Sequence, residues 1–179
     1  VTVDKYFEVL IETLIAFRVD ALKIGYKTRE ASHSKFYFFD AGIVRACSQI
    51  SLDDFDSVLQ GFAFETVMIN EIRAHLSYSL KHYPLYHYTI SGSYDIDLII
   101  ETRPISISKP RQLVLIEFKN TKRLDPRWAD PMLDFKKCKK AEILKLFLVY
   151  RGTEQKTIHD VEFIPAEKFL EMLADGSIL

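Results

Sequence analysis

Two carboxylates and a lysine on neighbouring strand-like runs carry the clearest chemistry in this sequence. The first run is Tyr94-Asp95-Ile96-Asp97-Leu98-Ile99-Ile100 and the second is Leu113-Val114-Leu115-Ile116-Glu117-Phe118-Lys119. Side chains on a strand alternate between faces, so Glu117 and Lys119 point the same way, roughly 6.5 Å apart along the backbone. If the two runs pair, Asp97 approaches Glu117, and an ammonium lies beside two carboxylates. Oxygen ligands of this kind suit Mg²⁺ or Mn²⁺, with water or phosphate in the remaining positions.

Each part of this pattern has a plainer reading. Asp95 and Asp97 share a face opposite Ile96, Leu98 and Ile100, which a half-solvated strand also explains. Glu117 and Lys119 could be an exposed ion pair of little energetic weight. Against this, the row Leu113, Leu115, Glu117, Lys119 starts apolar and ends charged, as in a strand buried at its centre and open to a site at its C-terminal end.

Glu65 is the third carboxylate. It lies within a helical stripe formed by Phe62, Met68, Ile69, Ile72 and Leu76. Burying a carboxylate on such a stripe is costly unless it finds a partner, which a metal or a lysine would supply. An edge position reaching solvent is the alternative.

The elements that must hold these residues can be read along the chain. Asp4 caps a first helix running to about Phe17. Residues 20–34 read as a loop with a short extended piece near Leu22–Ile24. Phe36–Phe39 is a buried-strand candidate, and Asp40-Ala41-Gly42 turns the chain into a short helix through Ala46. Asp53 or Asp54 starts a long helix reaching about Ser79. Strands follow at Leu85–Ile90, Tyr94–Glu101 and Leu113–Lys119, with Ser91-Gly92-Ser93 as a hairpin turn and Pro104–Pro110 as a loop. A helix at about Pro131–Lys140, strands at Ile143–Tyr150 and Val161–Ile164, and a helix at Ala166–Leu173 complete the chain. From Asp53 on, the order is α-β-β-β-α-β-β-α.

Composition bounds the rest. The chain has 179 residues, 48% of them apolar, enough for a substantial core. The longest apolar stretches are too short for a bilayer, and no signal segment opens the chain. Cys47 and Cys138 match no zinc or redox spacing and read as reduced thiols of a cytoplasmic protein. A net charge of −1 argues against a globally basic nucleic-acid binder. A local patch is conceivable in Lys122, Arg123 and Arg127, with Lys136, Lys137, Lys139 and Lys140 on or near the next helix and Trp128 as a stacking surface. A solvated helix face explains most of these equally well. The five histidines fall into no metal-ligand spacing, and Gly25-Tyr26-Lys27-Thr28 lacks the glycine and Gly-Lys of a phosphate-binding loop. The chain opens at Val1 inside a helix-like run, which leads us to expect a piece of a longer protein.

Glu65 on a helix, Asp97 on a hairpin strand and Glu117-Phe118-Lys119 resemble the core of the PD-(D/E)xK nuclease superfamily, whose α-β-β-β-α-β order matches the one above. Most of the chain also resembles the uncharacterised C-terminal domain of predicted bacterial and archaeal AAA+ ATPases. The resemblance rests on Lys35-Phe36-Tyr37-Phe38-Phe39-Asp40-Ala41-Gly42-Ile43, Gly61-Phe62-Ala63-Phe64-Glu65 and the residues after it to Ile72, Ser91-Gly92-Ser93-Tyr94-Asp95-Ile96-Asp97, and Ile116-Glu117-Phe118-Lys119. It implies a mixed α/β fold with a restriction-endonuclease-like core, a central mixed sheet flanked by helices. Residues 1–48 would be a junction after an ATPase and a winged-helix module, and residues 49–179 the nuclease-like domain. The activity implied is metal-dependent hydrolysis of DNA or RNA phosphodiesters, with Asp97, Glu117 and Glu65 around Mg²⁺ or Mn²⁺ and Lys119 at the attacking water. The alternative is a catalytically inactive module that keeps the fold to bind nucleic acid or protein. A homo-oligomer is a further expectation, since the aromatic Phe36–Phe39 region could form an interface.

Overall fold

The computed structural model describes residues 3–24, 33–48, 56–90, 94–137 and 141–179. Ser91-Gly92-Ser93, Asp53, Asp54, Cys138, Lys139, Lys140 and Gly25–Thr28 lie outside the described residues.

Eight strands form one mixed sheet. They are β1 (Ala16–Ala21), β2 (Lys35–Phe38), β3 (Leu85–Ile90), β4 (Tyr94–Arg103), β5 (Arg111–Lys119), β6 (Ala141–Tyr150), β7 (Lys156–Ile158) and β8 (Val161–Pro165), in the spatial order β2-β1-β3-β4-β5-β6-β8-β7. The β3-β4-β5 meander is antiparallel, whereas β5/β6 and β6/β8 are parallel. Helices α1 (Val3–Glu12), α2 (Ala41–Ser48), α3 (Ser57–Tyr78), α4 (Asp130–Lys137) and α5 (Ala166–Ala174) flank it, and a 3-10 turn at Pro126–Ala129 leads into α4. The fold is therefore mixed α/β, as read from the sequence, with β7 as an added short strand.

Both faces of the sheet are covered. Met68, Ile69, Ile72 and Leu76 of α3 and Phe169 and Leu173 of α5 pack on Leu98, Ile100, Val114, Ile116 and Phe118. On the other face, Met132 and Phe135 of α4 pack on Tyr88, Ile96, Ile99, Leu113 and Leu115. Full burial of side chains such as Ile69, Ile96 and Leu115 on both sides contributes about 1.5–3 kcal/mol each.

Several expectations are corrected. The first helix stops at Glu12, because Leu14 adopts a left-handed backbone (φ 60°) and turns the chain into β1, where Phe17 and Val19 face inward and Arg18 and Asp20 outward. The strand is thus Ala16–Ala21, not the piece near Leu22–Ile24. In β2 only Tyr37 is buried, while Phe36 is partly exposed and Phe39 beyond it largely so, since β2 is an edge strand. The long helix starts at Ser57, where Asp56 accepts the Leu59 N–H at 2.9 Å, which satisfies one of the orphan donors of the first turn. Phe62 is not on the packed stripe. It is 61% exposed and lines an open cavity between β2, α2 and the first turns of α3.

The half-solvated reading of β4 also fails. Ile96, Leu98, Ile99 and Ile100 are all fully buried. The β3/β4 register slips between Tyr86 and Tyr88, so that β4 holds one residue more than β3 over this stretch. Such a bulge resets the alternation of faces. Ile96 and Ile99 consequently join the α4 layer, whereas Leu98 and Ile100 join the α3 layer.

Candidate functional site

The bulge in β4 sits beside Asp97. The last regular pair between β4 and β5 is Leu98 with Ile116, and beyond it side chains replace the ladder. The Phe118 N–H donates to Asp97 Oδ2 at 3.0 Å, and the Asp97 N–H donates to Glu117 Oε2 at 3.3 Å. Each carboxylate thus has one oxygen tied to the main chain of the opposite strand. Both residues are buried, at 8% and 4% exposure. A buried carboxylate needs such donors to offset its desolvation.

The second oxygens face lysines. Glu117 Oε1 accepts from Lys119 Nζ at 2.5 Å. Asp97 Oδ1 lies 3.4 Å from Lys35 Nζ, which also stands 3.1 Å from Asp95 Oδ2 and 3.6 Å from Glu65 Oε1. Lys35 is the first residue of β2, and Tyr37, two residues on and on the same face, donates its hydroxyl hydrogen to Glu65 Oε1. Tyr37 is fixed in turn by stacking on Phe17, ring centroids 5.5 Å apart. Asp95 is held by a hydrogen bond from the Thr89 hydroxyl.

The sequence-predicted residues therefore come together in a particular way. Asp97, Glu117 and Lys119 are direct neighbours. Glu65 belongs to the same cluster and is joined to Asp97 through the Lys35 ammonium. Among the described residues, no three acids, histidines or cysteines form a common metal-ligating group. Lys35 and Tyr37 were missed as site residues: the strand candidate began at Phe36, and only with β2 starting at Lys35 do the two share a face.

Four carboxylates, Glu65, Asp95, Asp97 and Glu117, thus meet two ammoniums, Lys35 and Lys119, and the cluster is short of positive charge. Burial and the neighbouring Asp97 charge push the Glu117 carboxyl up to about 8, with Lys119 opposing. The same two causes raise Glu65, against the pull of Lys35 and Tyr37. Burial works to lower Lys35, but the charges of Asp97, Glu65 and Asp95 outweigh it and hold the ammonium protonated. Lys119 likewise is raised, burial being outweighed by the Glu117 carboxylate. Burial and the Glu65 charge raise the Tyr37 phenol well above its ordinary value.

Three cations of the basic stretch after β5 have local partners. Arg127 pairs with Asp125, Lys136 with Asp160 and Lys137 with Asp134, all largely at the surface. Trp128 is partly buried against the α4 layer. His87 is buried, between the His33 carbonyl oxygen at 3.0 Å and the Thr89 hydroxyl at 3.3 Å, in keeping with a structural role. Cys47 is an exposed free thiol. Among the described residues, no helix is long and apolar enough to cross a membrane.

No curated protein and no solved structure matches the chain. Residues 60–169 match the family described as domain of unknown function (DUF4143), a stretch that holds Glu65, Asp97, Glu117 and Lys119 and leaves Lys35 and Tyr37 outside. That match spans more than half of the chain, which belongs to the DUF4143 family.

Proposed function

We propose that this domain carries a metal-dependent phosphodiesterase-type centre on a restriction-endonuclease-like core, acts on DNA or RNA, and works as the C-terminal module of an AAA+ ATPase. The observation that carries the reading is the pairing of Asp97 and Glu117 at the point where β4 and β5 part, with the Lys119 ammonium on Glu117. The run from α3 through β3, β4 and β5 to α4 and β6, with β5 and β6 parallel, supports the core; the ATPase context rests on the sequence resemblance.

The residues fit an Mg²⁺- or Mn²⁺-type ion. Such ions are often held by one or two protein carboxylates and keep several waters. Asp97 and Glu117 each have one oxygen fixed by an N–H, which orients the other, and lysine ammoniums stand against those second oxygens. Asp97 and Glu117 would hold the ion and Glu65 would position a water. When bound, the metal lowers the pKa of a coordinated water and offsets phosphate charge. Lys119 would orient the attacking water and donate to the phosphorus oxygens as charge develops there. Incubation with single- and double-stranded DNA plus Mg²⁺ or Mn²⁺ tests the reading. Cleavage is expected in the unaltered chain and loss of it in Asp97→Ala and Glu117→Ala; undiminished cleavage in both variants removes these residues from the mechanism.

A second reading, a binding module without catalysis, draws support from one observation: the carboxylates already have protein partners, three of them on Lys35. The two readings part on thermal stability. An ion at a hundredfold excess over its Kd adds about 2.7 kcal/mol, so an unchanged melting temperature in millimolar Mg²⁺ and Mn²⁺ favours the module that binds nucleic acid or protein.

A further inference from the structure

We propose that Lys35 is a tethered counter-ion that holds the carboxylate cluster in the place of a divalent cation and yields to one, so that the position of β2 governs metal loading. This inference rests on the metal-dependent reading and adds its regulation.

Three observations carry it. Lys35 Nζ lies within 3.6 Å of Glu65, Asp95 and Asp97, oxygens of three carboxylates gathered around one cation, with Asp95 and Asp97 within hydrogen-bond distance and Glu65 as a longer ion pair. Its side chain remains 28% exposed, so the ammonium has a route to solvent along a flexible stem. It also stands on an edge strand of the sheet, which among the described residues pairs only with β1, over Lys35–Phe38. Lys119, by contrast, sits on the central strand β5 and is paired with Tyr150 of β6.

A unit charge within about 4 Å of the same oxygens opposes an incoming cation by several kcal/mol even in a moderately polar medium. The ion therefore enters as the ammonium leaves, and the carboxylates exchange one counter-ion for another. Any contact that draws β2 outward withdraws Lys35 and Tyr37 together, because both reach Glu65 from that strand.

The test compares the full chain with Lys35→Met, and with Lys35→Gln should the first variant fold poorly. Melting is followed in EDTA and in Mn²⁺, and Mn²⁺ binding is measured by calorimetry with Asp97→Ala as the blank. The variant is expected to melt lower than the unaltered chain in EDTA, to gain more from Mn²⁺, and to bind it about tenfold more tightly or better. A response in the variant alone also supports the proposal. If the unaltered chain responds to Mn²⁺ and the variant gains no more, Lys35 is not a competing cation, while the metal reading stands. If neither chain responds, the metal reading fails and this inference falls with it.

Discussion

Asp97 and Glu117 close the gap between β4 and β5 reciprocally: Asp97 accepts the N–H of the residue after Glu117, and Glu117 accepts the N–H of Asp97 itself. The same carboxylates thus serve the sheet and the site. A replacement at either position therefore has a structural component that must be separated from any catalytic one.

Asp97→Ala leaves the Phe118 N–H without an acceptor in a buried setting, whereas Asp97→Asn keeps one. An unpaired buried donor costs about 1–3 kcal/mol. Urea denaturation in EDTA is expected to show the alanine variant less stable than the asparagine variant by about 1 kcal/mol or more. Equal stabilities would mean that the Phe118 N–H finds another partner.

Stability in the absence of divalent cations depends on pH through Glu117. Its folded value of about 8 stands above the ordinary 4.5, so the folded chain binds more protons than the unfolded chain between these limits. The contribution is complete below pH 4.5 and is lost as pH rises through 8, at up to about 1.4 kcal/mol per pH unit. The raised Glu65 acts in the same direction. Denaturation midpoints in EDTA should fall from pH 5 to pH 8, and Glu117→Gln should flatten that slope; an equally steep slope in the variant would assign it elsewhere.

Gly152 follows β6 in a tight corner. A Cβ there would stand 2.1 Å and 2.7 Å from atoms of the Tyr150 ring and 2.9 Å from the Lys122 carbonyl oxygen. The ring is buried and its hydroxyl donates to the Glu154 carbonyl, so it does not swing away freely. Gly152→Ala should therefore destabilise the fold by about 1–3 kcal/mol. A melting temperature within about one degree of the unaltered chain would show that the corner relaxes.

The sequence made β3, β4, β5 and β6 legible, because each is a long run of apolar or alternating residues between turn formers. Asp97, Glu117 and Lys119 were legible for the same reason, since alternation along β5 and the closeness of β4 and β5 in the chain bring them together. The β1 strand was not: Ile15 and Phe17 continue the apolar spacing of α1, and the left-handed Leu14 that ends the helix leaves no glycine or proline as a mark. Lys35 was visible as a residue but not as a neighbour of Asp97. Its place depends on β1 pairing in parallel with β3, where Asp20 meets Tyr86, and nothing local in the sequence sets such a distant pairing. The bulge opposite Tyr86–Tyr88 was hidden likewise, because an extra residue in a strand shows only once its partner is known.

The sheet order has a practical consequence for anyone trimming this protein. Because β1 lies between β2 and β3, a chain shortened to begin near residue 49 would strip β3 of its outer partner and leave its open backbone groups free to zip onto another molecule. It would also deprive Glu65 and Asp97 of Lys35. Such a fragment would be both sticky and overcharged, so aggregation or tight ion capture seen with it would describe the cut and not the whole molecule.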